Sequence, residues 1–211
     1  MKTDELIRMM AEDAPVKRGL TRQMASALLA GTGLSAVLLL ATVGIRPDMA
    51  SAIETGRVMF KIGLTTLFAV LACRAVFEIG RPEATPRHRL RLLALPLITL
   101  IVGVVSELAL VPGGEWIRRM TGGHPTFCLF FIPVLSLAPL MAFLLALKNA
   151  APAEPGLAGA VAGASSAGLA SALYAWHCPD DSPLFMAVWY SLAILMVTVA
   201  GYFSGRRLLA W

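Results

Sequence analysis

Six apolar stretches of about 20 residues, separated by short polar connections, constrain this chain more than any other feature. They run roughly from Met24 to Val43, Val58 to Phe77, Leu90 to Val111, Phe127 to Leu147, Gly156 to Trp176 and Leu184 to Phe203. A helix that crosses a bilayer needs about 20 apolar residues, and only helices or closed barrels satisfy their backbone inside lipid. Six crossings use roughly 120 positions, and 57% of the 211 residues are apolar. Charged residues make up 15%, against about 25% in soluble domains, and mean hydropathy is +0.73. A soluble domain of this length would lack a polar surface. The expectation is an all-α, polytopic membrane protein. A six-transmembrane-helix bundle over 24–211 follows a polar tail over 1–23. Disorder, a disulfide-dense secreted scaffold and a large soluble catalytic domain are excluded.

The net charge of +5 then reads as topology rather than nucleic-acid binding, because basic residues concentrate on the cytoplasmic side of membrane proteins. With the N-terminus inside, Lys2, Arg8, Lys17, Arg18, Arg22, Arg81, Arg87, Arg89, Arg91, Lys148, Arg206 and Arg207 fall on the cytoplasmic side. Arg46, Arg57, Lys61, Arg118 and Arg119 fall outside. This bias puts both termini in the cytoplasm and the connections around Pro47, Thr121 and Pro179 outside. The first apolar stretch is too long for a signal-peptide core and precedes no small-residue cleavage site, so it is expected to stay as a span. The fifth span is rich in small residues, with Gly156, Gly159, Gly163, Ser166 and Ala170 at helical spacings. Small residues let helices approach closely in lipid, which places this span at the bundle centre.

Cys73 falls in the second span, where a thiol serves as a small apolar group. Cys128, in GGHPTFC, and Cys178, in WHCPDDSP, both fall at the outer side, where a disulfide is allowed. His124, His177, Asp180 and Asp181 accompany them. Two Cys, two His and two carboxylates at one face suit a soft or borderline metal, although the spacing matches no standard zinc pattern. Three readings stay open: a structural disulfide or inert packed thiols, a redox- or metal-responsive pair, and a catalytic thiol. Glu107, about one turn from the outer end of the third span, suits either a transport site or a bond to a neighbouring helix. No CxxC, Walker, HExxH, GxSxG or dinucleotide motif is present, so no enzyme activity and no required cofactor are expected.

The tail carries Thr3, Asp4 and Glu5 where a helix would start, and Leu6, Met9 and Met10 on one face, with Ile7 beside them and Asp13 one turn later. Its four acidic residues oppose adsorption to anionic lipid. Docking into a basic partner groove and a simple interfacial cap both remain open.

TDELIRMMAEDAPV, CLFFIPVLSLAPLMAFLLAL and ALYAWHCPDDSPLFMAVWY together resemble the NrsF-type membrane anti-sigma factors. The resemblance covers nearly the whole chain. It implies a six-helix protein of the bacterial inner membrane that restrains an extracytoplasmic-function sigma factor and contacts no nucleic acid itself. It further implies sigma-factor binding through the cytoplasmic N-terminus, at Asp4, Leu6, Ile7, Met10 and Asp13. Stress sensing falls to Cys128 and Cys178, with His177, His124 and Asp180 nearby and Cys128, Cys178 and His177 as the metal-binding candidates. The signal would be an oxidant or a thiophilic or divalent metal ion. The rival expectation is a small multi-span transporter or channel, which would need polar groups midway along several spans. Few are present.

Overall fold

In the computed structural model, the described residues are Glu5, 19–80, 91–150 and 152–210. Among them the regular structure is entirely helical. Six helices dominate: α1 (Leu20–Thr42), α2 (Gly56–Ile79), α3 (Ala94–Leu110), α4 (Pro125–Lys148), α5 (Pro155–Tyr174) and α6 (Pro183–Leu208). Five of them, all but α3, are long and apolar enough to cross a membrane. The 17 residues of α3 span about 26 Å, short of a hydrocarbon core of about 30 Å. The sequence reading of six spans therefore has five helices of spanning length among the described residues, with α3 the short one. Small helices at Met49–Ala52 and Trp116–Thr121 cap one end of the bundle. The tail residues Asp4, Leu6, Ile7, Met10 and Asp13 lie outside the described residues.

The fifth helix is the centre, as its small residues led us to expect. Two-thirds of its apolar window is buried (67%), against 28% for α1. It packs on α6, α2 and α4, and more lightly on α1. Gly159 and Gly163 of α5 face Gly201 and Gly205 of α6. A methyl group on any of them would overlap the opposite backbone. Such contact recovers dispersion energy that lipid does not supply. By contrast α3 sits at the edge, touching α2 and the start of α6.

Across the other side, α1 packs along α4. Proline at 139 has no N–H for the carbonyl of Leu135, one turn earlier. Ser35 of α1 supplies the missing donor, its hydroxyl lying 2.6 Å from that carbonyl. Gly31, one turn before Ser35, brings the α1 backbone against Pro139. The break in α4 and its repair therefore sit at one helix crossing, where lipid offers no alternative partner.

Candidate functional site

Cys128 and Cys178 meet at one end of the bundle. Cys128 lies one turn into α4, after a proline start at Pro125. Cys178 lies in the connection from α5 to α6. Fifty residues apart in sequence, their sulfurs are 3.9 Å apart and both side chains are buried. They are free thiols, as is the half-buried Cys73, which belongs to neither.

Nearly every residue of the connection fastens it to a different element. The Cys178 carbonyl accepts from Lys61 Nζ of α2 at 2.6 Å. Lys61 is fully buried, also reaches the Asp180 carbonyl, and pairs with the Asp181 carboxylate. Arg46 joins Asp181 at 2.9 Å and Asp48 at 2.7 Å. The Asp180 carboxylate accepts from the backbone amides of Gly123 and His124 at 3.0 and 3.3 Å, at the approach to α4. Gly122 there has φ +65°, and a side chain would strike Phe185 and Asp180; only glycine suits that conformation and space. Nδ1 of His177 lies 3.1 Å from the Gly44 carbonyl. Ser182 caps α6 by accepting from the Leu184 amide.

Glu107, weighed as a transport residue or a helix-bonding one, is bonded. Its carboxylate meets Arg57 of α2 at 3.2 Å, Arg119 at 3.1 Å and the Ser182 hydroxyl at 3.5 Å. Arg119 also pairs with Glu115 at 2.9 Å. Buried charges that gain several partners offset much of their desolvation, so these ion pairs fix the connections at this end of the bundle in place. Under the thiols, Phe127, Phe131 and Tyr174 stack in series, and Tyr174 continues to His177 and Tyr190.

The Cys178 thiol is held below its usual range. The hydrogen bond from Cys128 is the main cause; burial opposes it and the Lys61 ammonium assists. The shift favours the thiolate of Cys178, the reactive and metal-binding form.

The other sequence candidates separate by role. His124 is exposed at the start of α4, edge-on to Phe127. His177 is engaged with Gly44, and Asp180 with two amides. Among the described residues no three of His, Cys, Asp or Glu converge as a metal site. The sulfur separation itself fits two ligands of one ion: two thiolates at about 2.3 Å from a tetrahedral centre stand about 3.8 Å apart. The pair suits two coordination positions, and the remaining ligands would have to come from elsewhere.

Sequence reasoning missed Lys61 and Arg46 as parts of this site, having counted both simply as outer-side charges. An available signal for Lys61 was its position inside an apolar run, where an ammonium needs buried partners.

Comparison with known proteins places the chain in a family. The family model described as NrsF, negative regulator of sigma F, matches residues 10–211. The chain is 33% identical over 214 residues to the anti-sigma-F factor NrsF of Caulobacter vibrioides (strain NA1000 / CB15N), covering all of both chains. It is 29% identical over 213 residues to the probable anti-sigma-F factor NrsF of Azospira oryzae (strain ATCC BAA-33 / DSM 13638 / PS), again over the full length of both. No solved structure matches. With its whole length aligned to these relatives, the chain belongs to the NrsF family of negative regulators of sigma F.

Proposed function

We propose that this protein is an inner-membrane anti-sigma factor with six spans and both termini in the cytoplasm. It captures an extracytoplasmic-function sigma factor through its N-terminal segment and releases it when the outer thiol pair changes state. The observation that carries the sensing half is the Cys128–Cys178 contact at 3.9 Å. Cysteines brought together from 50 positions apart, with one thiol shifted toward thiolate, suit a two-state chemical input. The orientation rests on the basic bias of the inner segments.

Two inputs fit the pair. An oxidant would join the sulfurs after an approach of roughly 2 Å. A thiophilic ion would bridge them at nearly their present spacing, recruiting His177 or an external ligand to complete its shell. Swinging a 1:99 population to 99:1 takes about 5.5 kcal/mol of preference between states. A metal–thiolate site or a disulfide supplies energies of that order. The acidic, amphipathic segment with Asp4, Leu6, Ile7, Met10 and Asp13 is the docking element in this reading. Any effect on transcription then runs through the captured protein.

The test has two arms. Deleting residues 1–14 should raise sigma-dependent transcription without any signal, and the sigma factor should no longer co-purify with the membrane protein. Continued repression would remove the tail as the docking element. Separately, a Cys128→Ser, Cys178→Ser double variant should still repress but lose its response to oxidants and thiophilic metals. A normal response would end the sensor reading while leaving the docking reading intact.

A further inference from the structure

A groove between two of the spans combines an apolar wall with one cation and one anion. Helices α1 and α2 scarcely touch each other, and between them a cleft of about 820 Å³ opens down to the central helix α5. Its sides are Leu28 of α1 and one face of α2 from Thr66 to Glu78, with Val70 and Phe77 between; Leu169 of α5 forms its floor. Val70 is 45% exposed in a helix of spanning length, so the open side faces acyl chains. From Thr66 to Glu78 the groove runs about 18 Å. One leaflet holds about 15 Å of hydrocarbon, so the groove matches one acyl chain and the start of its headgroup.

Arg74 lines this groove and is exposed. Charged residues in spans are costly and are normally paired. In α2 that holds for Arg57, which meets Glu107, and for Lys61, which meets Asp181. Arg74 differs: among the described residues it makes no hydrogen bond and no ion pair. It lies five residues before the end of α2 at Ile79. The 24 residues of α2 extend about 36 Å and overshoot a hydrocarbon core of about 30 Å. Arg74 therefore sits only a few Å inside the apolar boundary, where its long side chain reaches the level of lipid phosphates.

Glu78 lies one turn nearer the helix end, in the same groove. Residues four apart on a helix can pair with each other, yet Arg74 leaves Glu78 unpaired with it. Glu78 has an interaction of its own, and a carboxylate accepts several bonds at once. The groove thus presents, from the membrane outward, an apolar channel, a guanidinium and a carboxylate.

We infer that this groove holds a glycerophospholipid with an ammonium headgroup, of the phosphatidylethanolamine class. One acyl chain lies along Val70, Phe77 and Leu169, the phosphate accepts from Arg74, and the ammonium donates to Glu78. The order of charges decides the headgroup. A phosphate bonded to Arg74 has the Glu78 carboxylate one turn away, about 5–6 Å, which repels a purely anionic lipid and attracts an ammonium two carbons beyond the phosphate. The site needs neither the thiol pair nor the N-terminal tail, so it stands or falls apart from the proposed sensor.

The experiment titrates dioleoyl phosphatidylethanolamine into the delipidated full chain in detergent and counts the retained lipid by native mass spectrometry. One tightly held lipid per chain is expected. Dioleoyl phosphatidylglycerol, with the same chains and phosphate but no ammonium, should bind about threefold more weakly. Arg74→Gln should weaken retention about tenfold, the loss of a charged hydrogen bond, with an unchanged melting temperature of the delipidated protein. Val70→Trp should fill the groove and abolish retention. Glu78→Gln should erase the preference between the two lipids; the lipid exchange on the unaltered protein decides the same point if that variant is unstable. The inference is overturned by the absence of a retained lipid, by equal or tighter binding of the phosphatidylglycerol, or by undiminished retention in Arg74→Gln or Val70→Trp.

Discussion

Lys61 donates to the backbone carbonyl of Cys178 at 2.6 Å from a position with no solvent exposure. A buried ammonium on α2 thus holds the peptide that carries one of the two facing thiols. Lys61→Met removes that donor and leaves Asp181 to Arg46 alone. Removing one member of a buried charge network costs about 3–5 kcal/mol when nothing replaces it. Because Arg46 remains, a loss of about 2–3 kcal/mol is expected, read as a lower unfolding midpoint in detergent. At pH values high enough to ionise the thiol in both proteins, Cys178 should also become alkylated faster, as its connection loosens.

The pH dependence of Cys178 has a definite sign. Its folded thiol loses its proton more readily than the unfolded one, chiefly through the bond from Cys128. The folded state therefore binds fewer protons just below the ordinary thiol range, near about 8.5, and stability rises with pH through that window. The gain is lost as pH falls through the folded pKa. Cys128→Ala should move the midpoint of Cys178 alkylation to higher pH, and Lys61→Met should move it the same way by less. An unchanged pH profile in Cys128→Ala would show that the two thiols do not interact in solution.

Much of this site could not be read along the chain. The helices, the central α5 and the placement of Cys128 and Cys178 at one end follow from apolar run length, small-residue spacing and side-of-membrane logic; their contact at 3.9 Å does not. The tasks of Asp180 and Asp181 do not. In sequence they are adjacent acids beside a cysteine and suggest metal ligands; in space one meets the amides before α4 and the other meets Lys61 and Arg46. Neighbouring side chains in a connection point in different directions, and their partners sit more than 50 positions away, where periodicity carries no signal. Glu107 is similar: its burial was foreseeable, but its arginine partners came from α2 and the Trp116–Thr121 helix.

Ser35 and Pro139 offer a double-variant test of helix repair. Ser35→Ala leaves the Leu135 carbonyl without its donor and should cost about 1–2 kcal/mol. Pro139→Ala restores a backbone N–H to that carbonyl within α4. In the combined variant the penalty of Ser35→Ala should therefore shrink, and a double-mutant cycle of unfolding free energies measures the coupling. Strict additivity would mean the two residues act independently.

Glycines in this fold should divide by what faces them. Gly159→Ala places a methyl group against the Gly201 carbonyl and should destabilise by about 1–3 kcal/mol or more. Gly33 in α1 has open space where a side chain would go, and Gly33→Ala should be neutral or stabilise by up to about 1 kcal/mol. Thermal unfolding of both variants in one detergent gives the comparison.

Glycine facing glycine leaves nothing between α5 and α6 to slide or repack, so the two helices behave as a single stiff beam. Cys178 rides on the tip where they join, and Cys128 rides on the neighbouring α4. The distance between the two sulfurs is then a gauge of the beam's angle. Over 20 residues of α5, about 30 Å, a displacement of roughly 2 Å at one tip about a mid-length pivot tilts the beam by about 8°. If the pivot lies mid-length, the opposite tip, where Pro155 meets Gly205, moves by a similar amount. A change of one bond length at the thiols would register on the far side of the bundle as a shift of position, with no helix having to bend.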